Sequence, residues 1–394
     1  MTTNSTVTYA SIDDKLEPKH IPQQSQPQSQ PPALFRPLDI GNLHLLNRLA
    51  VSSMCSYAAG PGNQIANLHL SRYKSFSAQH PGLIMIEGMC VDPKGKLDDK
   101  ELGIWNDDQA GKLRSVADEI HNDGCICCVQ LTHGGRKAIG EVSSVGNAAA
   151  GETGYDGDAE ILAPSAISYD NRSKVPKEMT STDIHQAITS FSSAAKRAVQ
   201  ISQVDAVEIS CCNGNLLHQF MSKSTNLRHD EYGCQSIKSR CKILMDIIDQ
   251  VRKQVGENVP IFVKLSASDN LFRGESLDEF LSIADLIIAT GQVSLLHITS
   301  GKITPNSRPR YSLNSNPNIP GHIPLASLLK KHLAESGQQE KCFVGCSGAL
   351  DMDVAKLNHY IDDNMIDVAF IGQGFLEMPN LVNQFAAKLN HKLK

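Results

Sequence analysis

Lys264 is the one charge inside the apolar run 259–266. A lysine held there must be paired or must serve an anion, because an isolated ammonium is costly away from water. Gln130 ends another such run, and His133, the Gly134-Gly135 pair and two cations, Arg136 and Lys137, follow it. Its amide donates and accepts, which suits a heterocycle carrying both kinds of group. The rim behind it suits an anionic ligand. Glycines cluster at the ends of two late runs, with Gly345, Ser347 and Gly348 in one and Gly372, Gln373 and Gly374 in the other. Short helices opening behind such glycines aim N–H groups and a helix dipole at a phosphate.

Other candidates have two readings each. Ser52, Ser53, Met54, Cys55 and Tyr57 follow an early run, and the Cys and Tyr either face a ligand or pack in a core. Gly88 either lets a flat ligand approach the backbone or makes a tight bend. Ser210, Asn213 and Asn215 form a polar cluster directly after a fourth run. His218, just behind them, reads as a satisfied core histidine. No pair of CxxC motifs exists, which argues against a structural zinc or iron–sulfur site, and no metal is expected.

These residues sit at the ends of eight apolar runs, 47–53, 81–89, 124–131, 204–210, 259–266, 292–299, 341–347 and 366–372. Continuous apolarity rich in Val and Ile fits parallel strands covered on both faces. Helix-period segments lie between them, including 65–80, 107–123, 181–202, 238–256 and 277–291. Ser181-Thr182-Asp183 and Asp351 read as helix caps. Eight strands alternating with helices predict one closed (β/α)8 barrel over residues 33–394, with the site on the loops after the strands. An open doubly wound sheet is the rival. No GxGxxG follows the first strand, and the count closes at eight, so the barrel is preferred. The stretch 133–180 is loop-rich and belongs at the mouth. Residues 1–32, low-complexity and rich in Pro and Gln, read as a disordered tail.

The chain has 394 residues, 41% hydrophobic and 20% charged, enough for a large core. A net charge of -5 and the absence of a basic run point away from nucleic acid and acidic membranes. No run reaches the roughly 18 apolar residues needed to span a bilayer. The N-terminus lacks a secretory layout. The 11 cysteines, several within apolar runs, read as thiols in a reducing compartment, so a cytoplasmic location is expected. A homo-oligomer is left open.

A phosphate cradle, a buried cation and an amide together describe a planar, phosphorylated, anion-prone cofactor. FMN fits, because its reduced ring develops negative charge that a nearby cation stabilises. The motifs at 34–57, 102–105 (LGIW), 130–138 (QLTHGGRKA), 163–167 (APSAI), 228–233 (RHDEYG) and 263–269 (VKLSASD) agree. With them the chain resembles the old yellow enzymes, FMN-dependent ene-reductases, over about residues 34–392. Met54-Cys55 with Tyr57 is similar to the Cys-bearing, thermophilic-like branch. The resemblance implies FMN as cofactor and NAD(P)H as reductant, with the hydride passed to the β-carbon of an activated alkene. It implies that Ser52, Ser53, Met54, Cys55, Gly88 and Gln130 line the ring and that Cys55 tunes it. Tyr57 would then face a small-molecule substrate.

The departures from that pattern are specific. Ser210 stands where the family has its first carbonyl-polarising His. Asn213 keeps the second position, and Asn215 replaces the proton-donating Tyr. An amide supplies no proton at neutral pH. Lys264 replaces an Arg near the ring, keeping charge but losing the fork. Gln373 replaces the Arg that grips the phosphate. Two functions remain. One is a flavoenzyme with an altered pocket that uses Tyr57 and Asn213, takes its proton from solvent, and passes the hydride to an alkene, quinone or other acceptor. The other is a catalytically impaired paralogue that acts as a scaffold with weak or no FMN. A Schiff-base role for Lys264 is a third and minor possibility.

Overall fold

The computed structural model describes residues 30–139, 160–271, 274, 276–307, 322–348, 350 and 352–393. The expected tail up to residue 29 lies outside them, as does the cap expected at Asp351 and part of the loop-rich stretch. Eight strands form the closed barrel: β3 (Leu49–Val51), β4 (Leu83–Cys90), β5 (Ile126–Thr132), β8 (Ala206–Cys211), β9 (Ile261–Ser266), β10 (Val293–Thr299), β11 (Phe343–Ser347) and β12 (Val368–Ile371). Each pairs with the next in parallel, and β12 closes onto β3. These strands coincide with the eight apolar runs, with β4, β5 and β8 each running one residue past the expected end.

Helices cover the outside: α1 (Asn67–Ser77), α2 (Asp107–Asn122), α3 (Ser181–Gln200), α4 (Leu216–Met221), α5 (Ile237–Val255), α6 (Leu277–Ile288), α7 (Ile323–Glu335), α8 (Val354–Asp362), α9 (Gln373–Glu377) and α10 (Leu381–Lys388). The cap of α3 falls one residue before the expected run. Thr180 Oγ1 accepts from the Asp183 N–H, and the Asp183 carboxylate accepts from the Thr180 N–H. Asp353 caps α8.

Two short pieces were not among the expected runs. β1 (Leu38–Ile40) and β2 (Leu43–Leu45) form an antiparallel hairpin turning at Gly41, which has a φ of +61°. Its Leu38, Ile40, Leu43 and Leu45 pack on the inward residues Ala50, Leu83, Met85, Cys128, Ala206, Phe262, Leu295, Val368 and Phe370. The hairpin therefore plugs the lower end of the barrel. β6 (Leu162–Ala163) and β7 (Lys177–Glu178) pair in the long third loop.

Side chains alternate along a strand, so two residues above each inward apolar one comes another inward one. Among those next positions are Ser52, Gln130, Glu208, Lys264 and His297. The lower barrel is thus apolar and plugged, and the upper layer is polar and faces the mouth.

Candidate active site at the barrel mouth

Glu208 is the hub of the polar layer. It is fully buried, accepts from Gln130 Nε2 at 2.6 Å, and pairs with His297 Nδ1 at 2.7 Å. With Nδ1–H donating, the His297 Nε2 is the bare nitrogen, and it has no partner among the described residues. The ring stacks on Phe370 with centroids 3.9 Å apart, and its pKa is pushed down to about 4, by burial first and then by Lys264. His297 is therefore neutral. Lys264 stands between them in register with Ser210 and His297. It is 5% exposed and has no hydrogen-bond or ion-pair partner among the described residues. Its expected role of serving an anion fits an ammonium left without one.

The first loop is pinned from β4. Ser56 N–H and Oγ donate to Glu87 Oε2 at 2.7 and 2.9 Å, and Tyr73 Oη donates toward Oε1 while receiving the Glu87 N–H. This sets Cys55 and Tyr57 on either side of Ser56. Tyr57 takes a left-handed φ of +48°, a conformation costly for an aromatic residue. Its hydroxyl bonds with Cys55, and burial raises it well above the ordinary phenol. Cys55 is open to solvent at the mouth yet crowded by protein on its other sides. Burial, then Glu101 and Glu87, push its thiol up to about 12, so it is no thiolate at neutral pH. The strand β4 bulges between Ile86 and Met89. There a Cβ on Gly88 would lie 2.8 Å from Thr132 Cγ2 and 3.3 Å from Gln130 Oε1, so only glycine leaves that face open.

Ser52 is inward and buried, and its N–H bonds to Ile371 O at 2.9 Å. Ser53 and Met54 are half-buried, and Met54 Sδ lies 3.0 Å from where Gly372 would carry a Cβ. The first loop and the end of β12 therefore meet. Gly348, with φ +98°, ends β11 next to Ser347. Gly345 lies lower, against Phe370 and Leu295, where packing alone demands glycine. Gln373 is exposed, and its amide donates to Glu377 Oε1 at 2.5 Å within α9. It is turned along its own helix.

The loop after β8 is held from several sides. Asn213 and Gly214 are both left-handed, with φ +57° and +73°. This turns the Asn213 carbonyl to Lys137, whose Nζ donates at 3.0 Å and lies over the Tyr169 ring. Burial, then Lys302, push Lys137 down to about 8. His218 accepts the Gly214 N–H at 2.9 Å and pairs with Asp269 at 2.8 Å, so it is the satisfied histidine its position suggested. Gln219 donates to the Gly134 and Gly214 carbonyls, both at 2.8 Å, tying the third loop to the fourth. Ser210 is 1% exposed, and its hydroxyl lies 3.6 Å from Cys212 Sγ. Asn215 is buried and its Oδ1 has no partner among the described residues.

Glu101 is a mouth residue that sequence reasoning passed over. It accepts from Leu97 N–H at 2.5 Å and Thr132 Oγ1 at 3.3 Å, and burial pushes it up to about 7. A raised carboxyl means the fold prefers the neutral form. Its stabilising effect is full below the ordinary carboxylate range and is lost as pH rises through about 7. Glu101→Gln is expected to gain roughly 2–3 kcal/mol near pH 8 and almost nothing near pH 5. Denaturant midpoints at the two pH values check this, and equal midpoints near pH 8 would sink it.

The model of the NADH:flavin oxidoreductase / NADH oxidase family matches residues 33–392. The chain belongs to that family. An NADH:flavin oxidoreductase of Gibberella zeae is 31% identical over 397 residues, covering 96% of this chain and 92% of the relative. An NADPH dehydrogenase of Bacillus subtilis is 29% identical, covering 91% and 96%. Among solved structures, morphinone reductase superposes with a TM-score of 0.72 at 22% identity, covering 93% of this chain and 91% of that one. The old yellow enzyme from Pichia sp. AKU4542 superposes at 0.71 and 22%, covering 91% and 87%. At such identities the superpositions speak for the fold.

The protein is an FMN-dependent NAD(P)H oxidoreductase of the old yellow enzyme family. Lys264 without an ion-pair partner, an open backbone at Gly88 and a left-handed Gly348 all lie at the mouth, an arrangement compatible with that cofactor. No helix among the described residues is long and apolar enough to cross a membrane. The same residues hold no cluster of three His, Cys, Asp or Glu able to bind a metal.

Proposed function

We propose that this family member has a remodelled acceptor pocket. One observation carries the reading. The flavin-side groups Lys264, Gln130 and Gly88 stand ready, while Ser210 is turned to Cys212 and Asn215 is buried. The pair that would polarise a carbonyl is thus reduced to Asn213. When bound, FMN would supply hydride transfer from NAD(P)H to an activated alkene, quinone or other acceptor. Around it, Lys264 offsets developing negative charge and Gln130 orients the ring edge. Asn213 and Tyr57 face the acceptor, and solvent supplies the proton, because Asn215 cannot. No disulfide joins any of the 11 cysteines, which supports the reading of a cytoplasmic protein.

An absorbance spectrum before and after NADPH under anaerobic conditions tests the reductive half. A flavin band that bleaches is expected. Protein that stays colourless with added FMN would favour the impaired paralogue. For the acceptor half, Asn213→Ala and Tyr57→Phe are each expected to lower kcat/KM for an enone about tenfold, the weight of one hydrogen bond. Kinetics equal to the parent's would remove those roles.

A further inference from the structure

We propose that His322 supplies the positive charge on the FMN phosphate that Gln373 no longer carries. The inference rests on the flavin-binding reading and adds a residue to it. His322 immediately precedes α7, and its Nδ1–H donates to the Ser347 carbonyl at 2.6 Å. That bond fixes the ring and leaves Nε2 as the free edge. The ring lies against Gly348, where a Cβ would fall 2.5 Å from Nδ1. The imidazole is therefore built into the end of β11, the same turn whose N–H groups would cradle a phosphate. Gln373 is committed to Glu377 and faces away.

The charge pattern supports the assignment. His322 feels Lys264 from β9 and Lys302 from the loop after β10. No ion pair joins any of the three to a carboxylate among the described residues, although the buried Glu208 attracts Lys264. The two lysines disfavour a third positive charge on His322 until an anion arrives. Without an anion, burial, then these two lysines, hold the imidazole below its ordinary value against the pull of the Ser347 carbonyl. A dianionic phosphate reverses that balance and raises it. Binding FMN therefore takes up a proton, and affinity falls as pH rises.

The test compares FMN with riboflavin, which has the same ring and no phosphate. Fluorescence titrations of the apoprotein at about pH 6.5 and pH 8.5 give the preference for FMN. The wild-type preference should fall across that range. His322→Gln, which keeps a donor for Ser347, should lower it at least about tenfold at the lower pH and abolish its pH dependence. Adding Gln373→Arg to that variant should restore the preference in a pH-independent form. A His322→Gln preference equal to the parent's at both pH values would overturn the inference and leave the flavin reading standing. Wild type binding neither flavin would overturn both. If His322→Gln loses riboflavin as well, the pocket itself has failed, and the wild-type pH dependence decides. A flat profile there rejects His322.

Discussion

Glu208→Leu is expected to destabilise the protein by about 3–5 kcal/mol, the effect of breaking a buried charge network from one side. The carboxylate is fully buried and serves three groups at once. Burial alone would push it up, but His297, then Lys264 and Gln130, outweigh burial and hold it below the usual range. Leucine matches its size and removes both acceptors. Gln130 Nε2 then loses its 2.6 Å partner and His297 Nδ1 its 2.7 Å partner. His297 would be left with neither nitrogen satisfied, since Nε2 is already bare. Lys264 would also lose the attraction of that carboxylate. Because the folded carboxyl titrates low, its contribution is present at neutral pH and fades as pH falls into the acidic range. Glu208→Gln keeps one acceptor and should lose less. Urea midpoints at neutral pH check the order, and a leucine variant within about 1 kcal/mol of the parent would mean the network is not a structural hub.

The barrel was legible because each strand is buried on both faces and so reads as an unbroken apolar run. The hairpin plug was not, since each of its strands is only three residues long and its register depends on Gly41 and on the barrel floor. Lys264 stood out as a charge inside an apolar strand. Glu208 and His297 carry the same signal in 204–210 and 292–299 and were legible in principle. Two motifs turn out to be staples. Arg228 of 228–233 is buried and donates to the carbonyls of Pro164 and Met179, and Leu227 N–H bonds to Ser165 Oγ. These bonds join 228–233 to 163–167 at the mouth without entering the chemistry. The choices of Ser210 for Cys212 and of Gln373 for Glu377 are rotamer outcomes. No spacing reveals them, and each depends on a neighbour that only the fold supplies. Glu87 likewise sets Cys55 and Tyr57 from another strand.

Lys264→Met should separate stability from cofactor binding. An unpaired buried ammonium disfavours the empty protein, and replacing a buried charge with a packed apolar chain of similar length is neutral or stabilising. Attraction to Glu208 opposes this. The apoprotein should therefore melt at or above the parent's temperature. With FMN the order reverses. The lysine is the strand-borne cation aimed at the mouth, and its loss should weaken FMN about tenfold to a hundredfold, one charge-assisted bond. Ligand that binds only the folded state raises the melting temperature in proportion to the logarithm of its saturation, so the FMN-induced shift should shrink in the variant. Four melting curves, parent and variant with and without FMN, carry the whole test. An equal shift in both proteins would remove Lys264 from the flavin site. A variant apoprotein that melts well below the parent would show that the ammonium has a stabilising role in the empty barrel, with attraction to Glu208 outweighing its burial.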